Sequence, residues 1–407
     1  MLRIITDKEK RRDIIEYAII IALYYMTGGA FSYTDYSLKV ILMFVCMVVF
    51  TVINKNVNNR LSIKNAMFFL MLESMFSLIT LIVSQDENVT TYIAIPMQVA
   101  IGMLVAYNIG FERFVEKYIR IIVFFAAVSL IGFLIGMIYP SIIYLFPVTE
   151  GEASVDYYNA GIYVFMKLKG YAESATVITS RNAGICWEPG CYQVFLNIGI
   201  IFLLAKQRKE KDKNFYLKFM VLVMTLLTTF STTGYLILII SIITNLKIVS
   251  EEFNRHKKTS FTAITLLIIF IVVGSKLGIE FDYIFEKTSG ELDDGGEGVI
   301  DRISLDKIKY LFADGNFYFF GMGYSKWLTY NQSMWNSIIH TMLCMGIPFA
   351  SVLLYMYYEF GKIFKKNSVI IFVVLIMSFC TETLFWRTFF TTLAFYGVLY
   401  SKIGYKF

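Results

Sequence analysis

Arg181-Asn182-Ala183-Gly184-Ile185-Cys186-Trp187-Glu188-Pro189 closes a polar loop and leads straight into the apolar run 190–205. That run has to enter a membrane, so an arginine and a carboxylate seven residues apart sit where charge is costly to place. Two readings of the pair stand side by side. In the plain one, Arg181 snorkels to the interface and Glu188 caps the next helix, with Pro189 at home in its first turn. In the functional one, the pair is an outer-face site for an anionic headgroup, with the carboxylate as base or acceptor anchor.

The composition around this stretch is that of an integral membrane protein. Of 407 residues, 57% are hydrophobic and only 17% charged, whereas soluble domains lie nearer half and a quarter. The mean hydropathy is +0.62. Apolar residues fall in blocks of about 16 to 24, the length that crosses a hydrocarbon core as a helix. Only helices satisfy their own backbone there, so the expected fold is an all-α polytopic membrane protein. Its spans are read at 14–32, 37–53, 66–84, 90–109, 118–139, 190–205, 215–231, 233–249, 261–278, 337–360, 368–384 and 388–401, about 12 transmembrane helices. The first block follows Lys8, Lys10, Arg11 and Arg12 with no small-residue cleavage site after it, and reads as a signal anchor.

Lysine and arginine orient the spans. With the N-terminus in the cytoplasm, most of the 37 basic residues fall on inner loops, among them Lys206, Arg208, Lys209, Lys211, Lys213 and Lys218. Both termini are then cytoplasmic. The net charge of +6 is a topology signal and needs no nucleic acid. Two long loops, 140–189 and 279–336, fall on the outer face, where binding groups commonly reside. They divide the chain into a five-helix region 1–139, the first outer loop, a four-helix region 190–278, the second outer loop, and a three-helix region 337–407. The first loop is rich in tyrosine, and its apolar run Ile162–Phe165 suits the interface. The second opens on the acidic, glycine-rich 291–298, which reads as solvated loop. Ile300, Ile303, Ile308, Leu311 and Phe312 then approximate one face of a short amphipathic helix.

Further candidates lie on the same outer face. Arg302 either makes a surface ion pair with Asp301 or joins Arg181 on one diphosphate, to which guanidinium forks are well matched. Ser231, Thr232 and Tyr235 mark a tight hairpin tip, where hydroxyls contact sugar or phosphate or simply cap helices. Gly321-Met322-Gly323-Tyr324 lacks the strand-turn-helix setting of a nucleotide loop. Tyr324 and Asn336 precede the tenth span, and Glu382 and Arg387 bracket the last outer turn. Glu73 is the one carboxylate well inside a span, either functional or bonded to a neighbouring helix. Cys186 and Cys191 flank Glu188, and they are free to pair or to remain thiols. The two histidines, His256 and His340, do not make a metal site, and no Walker loop is present. No cofactor is expected.

The order Arg181…Gly184…Glu188-Pro189, Ser231–Gly234, Arg302, Gly321-x-Gly323 and Asn336 resembles the O-antigen polymerase and ligase superfamily, which is similar in architecture to the GT-C glycosyltransferases. The resemblance covers about Arg181 to the C-terminus. It implies an enzyme of the cytoplasmic membrane that acts on its outer side upon undecaprenyl-diphosphate-linked oligosaccharide. Arg181 and Arg302 would neutralise the departing diphosphate in place of a metal, and Glu188 would take the acceptor hydroxyl proton. A flippase and a chain-length regulator of the same pathway are the implied partners. Ligases of this superfamily carry a histidine just before the asparagine matched by Asn336. Here that residue is Trp335, which favours a polymerase of capsule, O-antigen or another exopolysaccharide over a ligase. A lipid-linked oligosaccharide flippase or transporter is the alternative of another class. It should show inverted repeats and mid-membrane polar residues, whereas charge here gathers in two outer loops.

Overall fold

Helix Ile63–Ser84 carries its polarity inside out. It buries Ala66, Glu73, Ser77 and Thr80 and exposes Met67, Phe68, Met71, Leu78 and Ile82. A helix in water does the reverse. Lipid accepts the apolar face, and the polar groups must then find partners inside. In the computed structural model Ser77 Oγ donates to the Tyr92 carbonyl at 3.1 Å and Thr80 Oγ1 to that of Met345 at 2.8 Å. The structure describes residues 2–30, 36–54, 63–150, 155–168, 181–256, 305–330 and 336–400. The expected span 261–278, the acidic run 291–298 and Arg302 lie outside them.

The helices are α1 (Leu2–Gly28), α2 (Tyr36–Ile53), α3 (Ile63–Ser84), α4 (Val89–Asn108), α5 (Phe111–Ile138), α6 (Pro189–Lys209), α7 (Phe215–Thr228), α8 (Thr232–Thr244), α9 (Leu246–Arg255), α10 (Tyr324–Thr329), α11 (Ser337–Met345), α12 (Ile347–Lys362), α13 (Ser368–Thr381) and α14 (Thr388–Tyr400). Among the described residues α3, α4, α5 and α6 are long and apolar enough to cross a membrane. The pair α8 and α9 would make a fifth, although the two are bent by 85°. The protein is thus mostly helical and membrane-embedded.

Four features depart from the expectations. The fold is mostly helical as expected, but it also contains strands. Residues 148–168 hold an antiparallel sheet of β1 (Val148–Glu150), β2 (Val155–Asn159) and β3 (Val164–Leu168), with Val148 opposite Tyr158 and Tyr157 opposite Met166. The span 337–360 is two helices, because Gly346 sits at φ +92° and Pro348 opens the second of them. A Cβ at Gly346 would also lie 2.5 Å from the carbonyl carbon of Phe320, so only glycine fits there. The span 233–249 likewise ends at Thr244, and α9 turns away with Val249 and Glu252 buried. The amphipathic segment of the second loop is a 3-10 helix, Leu305–Gly315, on which Leu311 is buried but Ile308 and Phe312 are exposed.

The chain forms two units. The first comprises 1–27, 34–114 and 299–407. Here α14 packs on α4 and α12, and Phe111, Phe114, Phe360, Phe389 and Tyr396 are all buried. Tyr396 donates to the Ile109 carbonyl at 2.8 Å, and the buried Glu16 is matched by Arg12 and Arg113 at 2.8 and 2.9 Å. The second comprises 28–33 and 115–298. Its helix α6 is buried along most of its length, with Tyr118 donating to the Phe195 carbonyl at 2.9 Å. Phe133, Ile143, Tyr158, Tyr163, Phe165 and Phe230 form a cluster that seats the sheet beside α5 and the α7–α8 turn.

Candidate functional site

In the second unit the Arg181–Glu188 loop is held from three directions. Asn182 is fully buried, and its amide Nδ2 donates to Thr228 Oγ1 at 3.0 Å and to Ser129 Oγ at 3.3 Å. Its Oδ1 accepts from the Gly184 N–H at 2.9 Å, while its own N–H donates to the Thr228 carbonyl at 2.8 Å. The sheet supplies the second hold. Val164 N–H donates to the Gly184 carbonyl at 2.8 Å, and Tyr157 Oη donates to that of Trp187 at 2.8 Å. The third is the segment at the end of α1. Trp187 N–H donates to the Gly28 carbonyl at 3.1 Å and Ala30 N–H to that of Ile185 at 2.9 Å, a short antiparallel pairing.

Gly184 lets the loop take this path. It sits at φ +60°, and a Cβ there would lie 2.6 Å from the ring of Tyr192. Tyr192 is itself fixed by a 2.8 Å hydrogen bond with Ser129.

Arg181 and Glu188, both half-buried, stand at the two ends of this loop. Arg181 Nε donates to the Thr229 carbonyl at 3.1 Å, which sets the guanidinium at the tip of the α7–α8 hairpin. Glu188 occupies the position before α6, yet its side chain makes no capping bond. Its Oε1 accepts from Trp187 Nε1 at 3.2 Å instead. Ser231 does cap α8, accepting from the Gly234 N–H at 3.3 Å. Thr232 begins that helix, and Tyr235 Oη donates to the Leu227 carbonyl at 2.6 Å. Arg181, Glu188, Ser231, Thr232 and Tyr235 are therefore gathered at one end of this unit. Cys186 and Cys191 are both buried free thiols, so they do not pair.

Tyr324, Asn336, Glu382 and Arg387 belong to the first unit and share one end of it. Asn336 caps α11, its Oδ1 accepting from the N–H groups of Ile338 and Ile339 at 3.2 Å. Glu382 follows α13 and is buried. Arg387 lies against the Trp386 ring, with its guanidinium carbon 5.0 Å from the ring centroid. The Tyr324 ring packs edge-on to His340 at 5.8 Å. Ser337, beside Asn336, donates to the Phe379 carbonyl at 2.8 Å and ties α11 to α13.

The residue that organises this end is Asp86, between α3 and α4. Its carboxylate accepts from Asn88 N–H at 2.9 Å, Tyr92 Oη at 2.9 Å, Ser325 N–H at 3.0 Å and Ser325 Oγ. Burial alone would raise its pKa, but these bonds favour the charged form and bring it below the usual value. Asp86 thereby pins the second loop to the α3–α4 turn. Gly323 of the Gly321-x-Gly323 pattern serves the same docking, since a Cβ there would lie 2.7 Å from Asp86 Oδ2, while Met322 N–H donates to the Leu343 carbonyl of α11 at 2.8 Å.

Asn182 and Asp86 escaped the reading of the sequence. Asn182 had a signal, because Asn two residues before Gly is an Asx-turn pattern. Asp86 looked like any polar residue in a turn between apolar runs. Arg302 lies outside the described residues. Among the described residues no group of three or more His, Cys, Asp or Glu is arranged to hold a metal ion. Compared with known proteins, the chain matches no family model and no curated sequence.

Proposed function

We propose that this protein is a polysaccharide repeat-unit polymerase, a glycosyltransferase that elongates glycan on a lipid diphosphate at the outer face of the cytoplasmic membrane. The observation that carries the reading is the immobilised loop from Arg181 to Glu188. Asn182, the sheet and the Gly28–Ala30 segment fix its backbone, and the Thr229 carbonyl fixes the guanidinium. A charge held in place in advance stabilises a developing anion without reorganising as the reaction proceeds. The motif order that resembles O-antigen polymerases points to the same chemistry.

In this reading an acceptor hydroxyl attacks the anomeric carbon of the donor sugar. The new glycosidic C–O bond forms as the bond to the lipid diphosphate breaks, and the diphosphate leaves with the electron pair. Arg181 meets the charge that develops on it. Glu188 accepts the hydroxyl proton, its carboxylate oriented by the Trp187 indole. The resemblance gives Arg302 the second guanidinium and Tyr324, Asn336, Glu382 and Arg387 a part in holding substrate. Twelve spans with both termini inside would put the Arg181 loop on the outer side, where nucleotide sugars do not reach and a lipid-linked donor does.

Purified protein given undecaprenyl-diphosphate-linked repeat units should release undecaprenyl diphosphate, lengthen the glycan and remain active in EDTA. Glu188→Gln should reduce turnover by about 10²-fold or more, the range for loss of a positioned base. Wild-type protein that binds the lipid-linked unit without elongating it sinks the proposal.

A further inference from the structure

A second charged feature lies at the opposite end of the second unit, away from the Arg181 loop. The start of α5, the last turn of α6, the 210–214 turn and the start of α7 enclose a cavity of about 360 Å³. Cations outnumber carboxylates in its lining. Lys206, Lys211, Lys213, Lys218 and Arg120 face Glu116, Glu210 and Asp212.

Two of those cations are committed. Lys218 pairs with Asp212 at 2.5 Å, and Arg120 pairs with Glu116 one helical turn away. The turn that carries the others is rigid. Asp212 accepts from Asn214 N–H at 2.9 Å, and Gln207 Oε1 accepts from Asp212 N–H at 2.7 Å. Lys206, Lys211 and Lys213 make no ion pair among the described residues, and the carboxylates that offset them are Glu210 and Asp212, the latter already paired with Lys218.

Lysines at a helix C-terminus complement its dipole, and that alone would account for Lys206. It does not account for a concave site that gathers Lys211 and Lys213 as well. The setting supplies the rest. These helix ends carry the basic loops that belong at the cytoplasmic surface. Beside the cavity, Phe124 lies one turn up α5 from Arg120 and is 55% exposed, and Leu217, next to Lys218, is 66% exposed. An anion whose attached chain is apolar can occupy the cavity and run along those side chains into the leaflet.

We propose that this cavity is a binding site for the phosphodiester headgroup of an anionic phospholipid of the cytoplasmic leaflet, held by Lys206, Lys211 and Lys213. Basic pockets between transmembrane helices on that side bind lipid phosphates through such groups. The site is independent of the glycan reading.

The test is native mass spectrometry of the full-length protein in detergent, titrated with phosphatidylglycerol or phosphatidylcholine. Wild type should retain one phosphatidylglycerol in preference to phosphatidylcholine. The triple variant Lys206→Gln/Lys211→Gln/Lys213→Gln should bind it at least about tenfold more weakly, as expected for removing three charges near an anionic headgroup. The corresponding triple arginine variant should bind like wild type, and that separates lost charge from lost fold. Equal retention of both lipids, or wild-type affinity in the glutamine variant, overturns the proposal. So does displacement by soluble glycerol phosphate at lipid-like concentrations, which would make this a site for free anions.

Discussion

At Gly184 a backbone at φ +60° coincides with a ring contact that leaves no room for a methyl group. Gly184→Ala should therefore destabilise the protein by about 3 kcal/mol, through left-handed strain plus displacement of Tyr192. Gly161, at φ +81° with open space around it, is the control, and Gly161→Ala should cost only about 1 kcal/mol. Thermal unfolding in one detergent reads both. Asn182→Ala strips partners from a buried N–H and two buried hydroxyls and should cost about 2–4 kcal/mol. The sequence makes the Arg181–Pro189 stretch conspicuous because charge beside an apolar run is unusual. It does not reveal what each residue does there. Glutamate is not a favoured N-cap, and the Glu188 carboxylate takes the adjacent indole N–H rather than a first-turn backbone N–H.

At the scale of elements, Asp86 couples the α3–α4 turn to the second loop, and the coupling is pH-dependent. A carboxylate with a lowered folded-state pKa contributes stability above its unfolded value, about 3.9, and loses it as pH falls through the folded one. Amide exchange at Tyr324 and Ser325 should thus accelerate as pH drops below about 4, beyond the intrinsic trend. Asp86→Asn should exchange faster already at neutral pH and show no such step. An Asp86→Asn profile that overlays wild type would contradict the coupling. The pairing that makes Asp86 important joins residues more than two hundred positions apart, so local pattern could not disclose it. The sheet was hidden for a related reason. Val155-Asp156-Tyr157-Tyr158-Asn159 is β-prone, but its strands are short and its tyrosines equally suit a membrane interface.

For the whole molecule, composition was enough to place the chain in a membrane, and α3 shows why, with polar side chains inside and apolar ones outside. Hydropathy was a poorer guide to continuity. It sees an unbroken apolar run across Gly346 and Asn245, whereas the backbone turns at both. The proposed function rests on the Arg181 loop, so the most direct measurement is made on the glycan. A strain lacking this gene would be complemented with wild type, Arg181→Lys or Arg181→Ala, and its lipid-linked and surface glycans separated by size. Wild type should restore the long ladder. Arg181→Ala should leave single repeat units, and Arg181→Lys should fall well short, because a point charge cannot replace a planar fork. Long polymer on the carrier lipid in the strain without the gene would contradict the account.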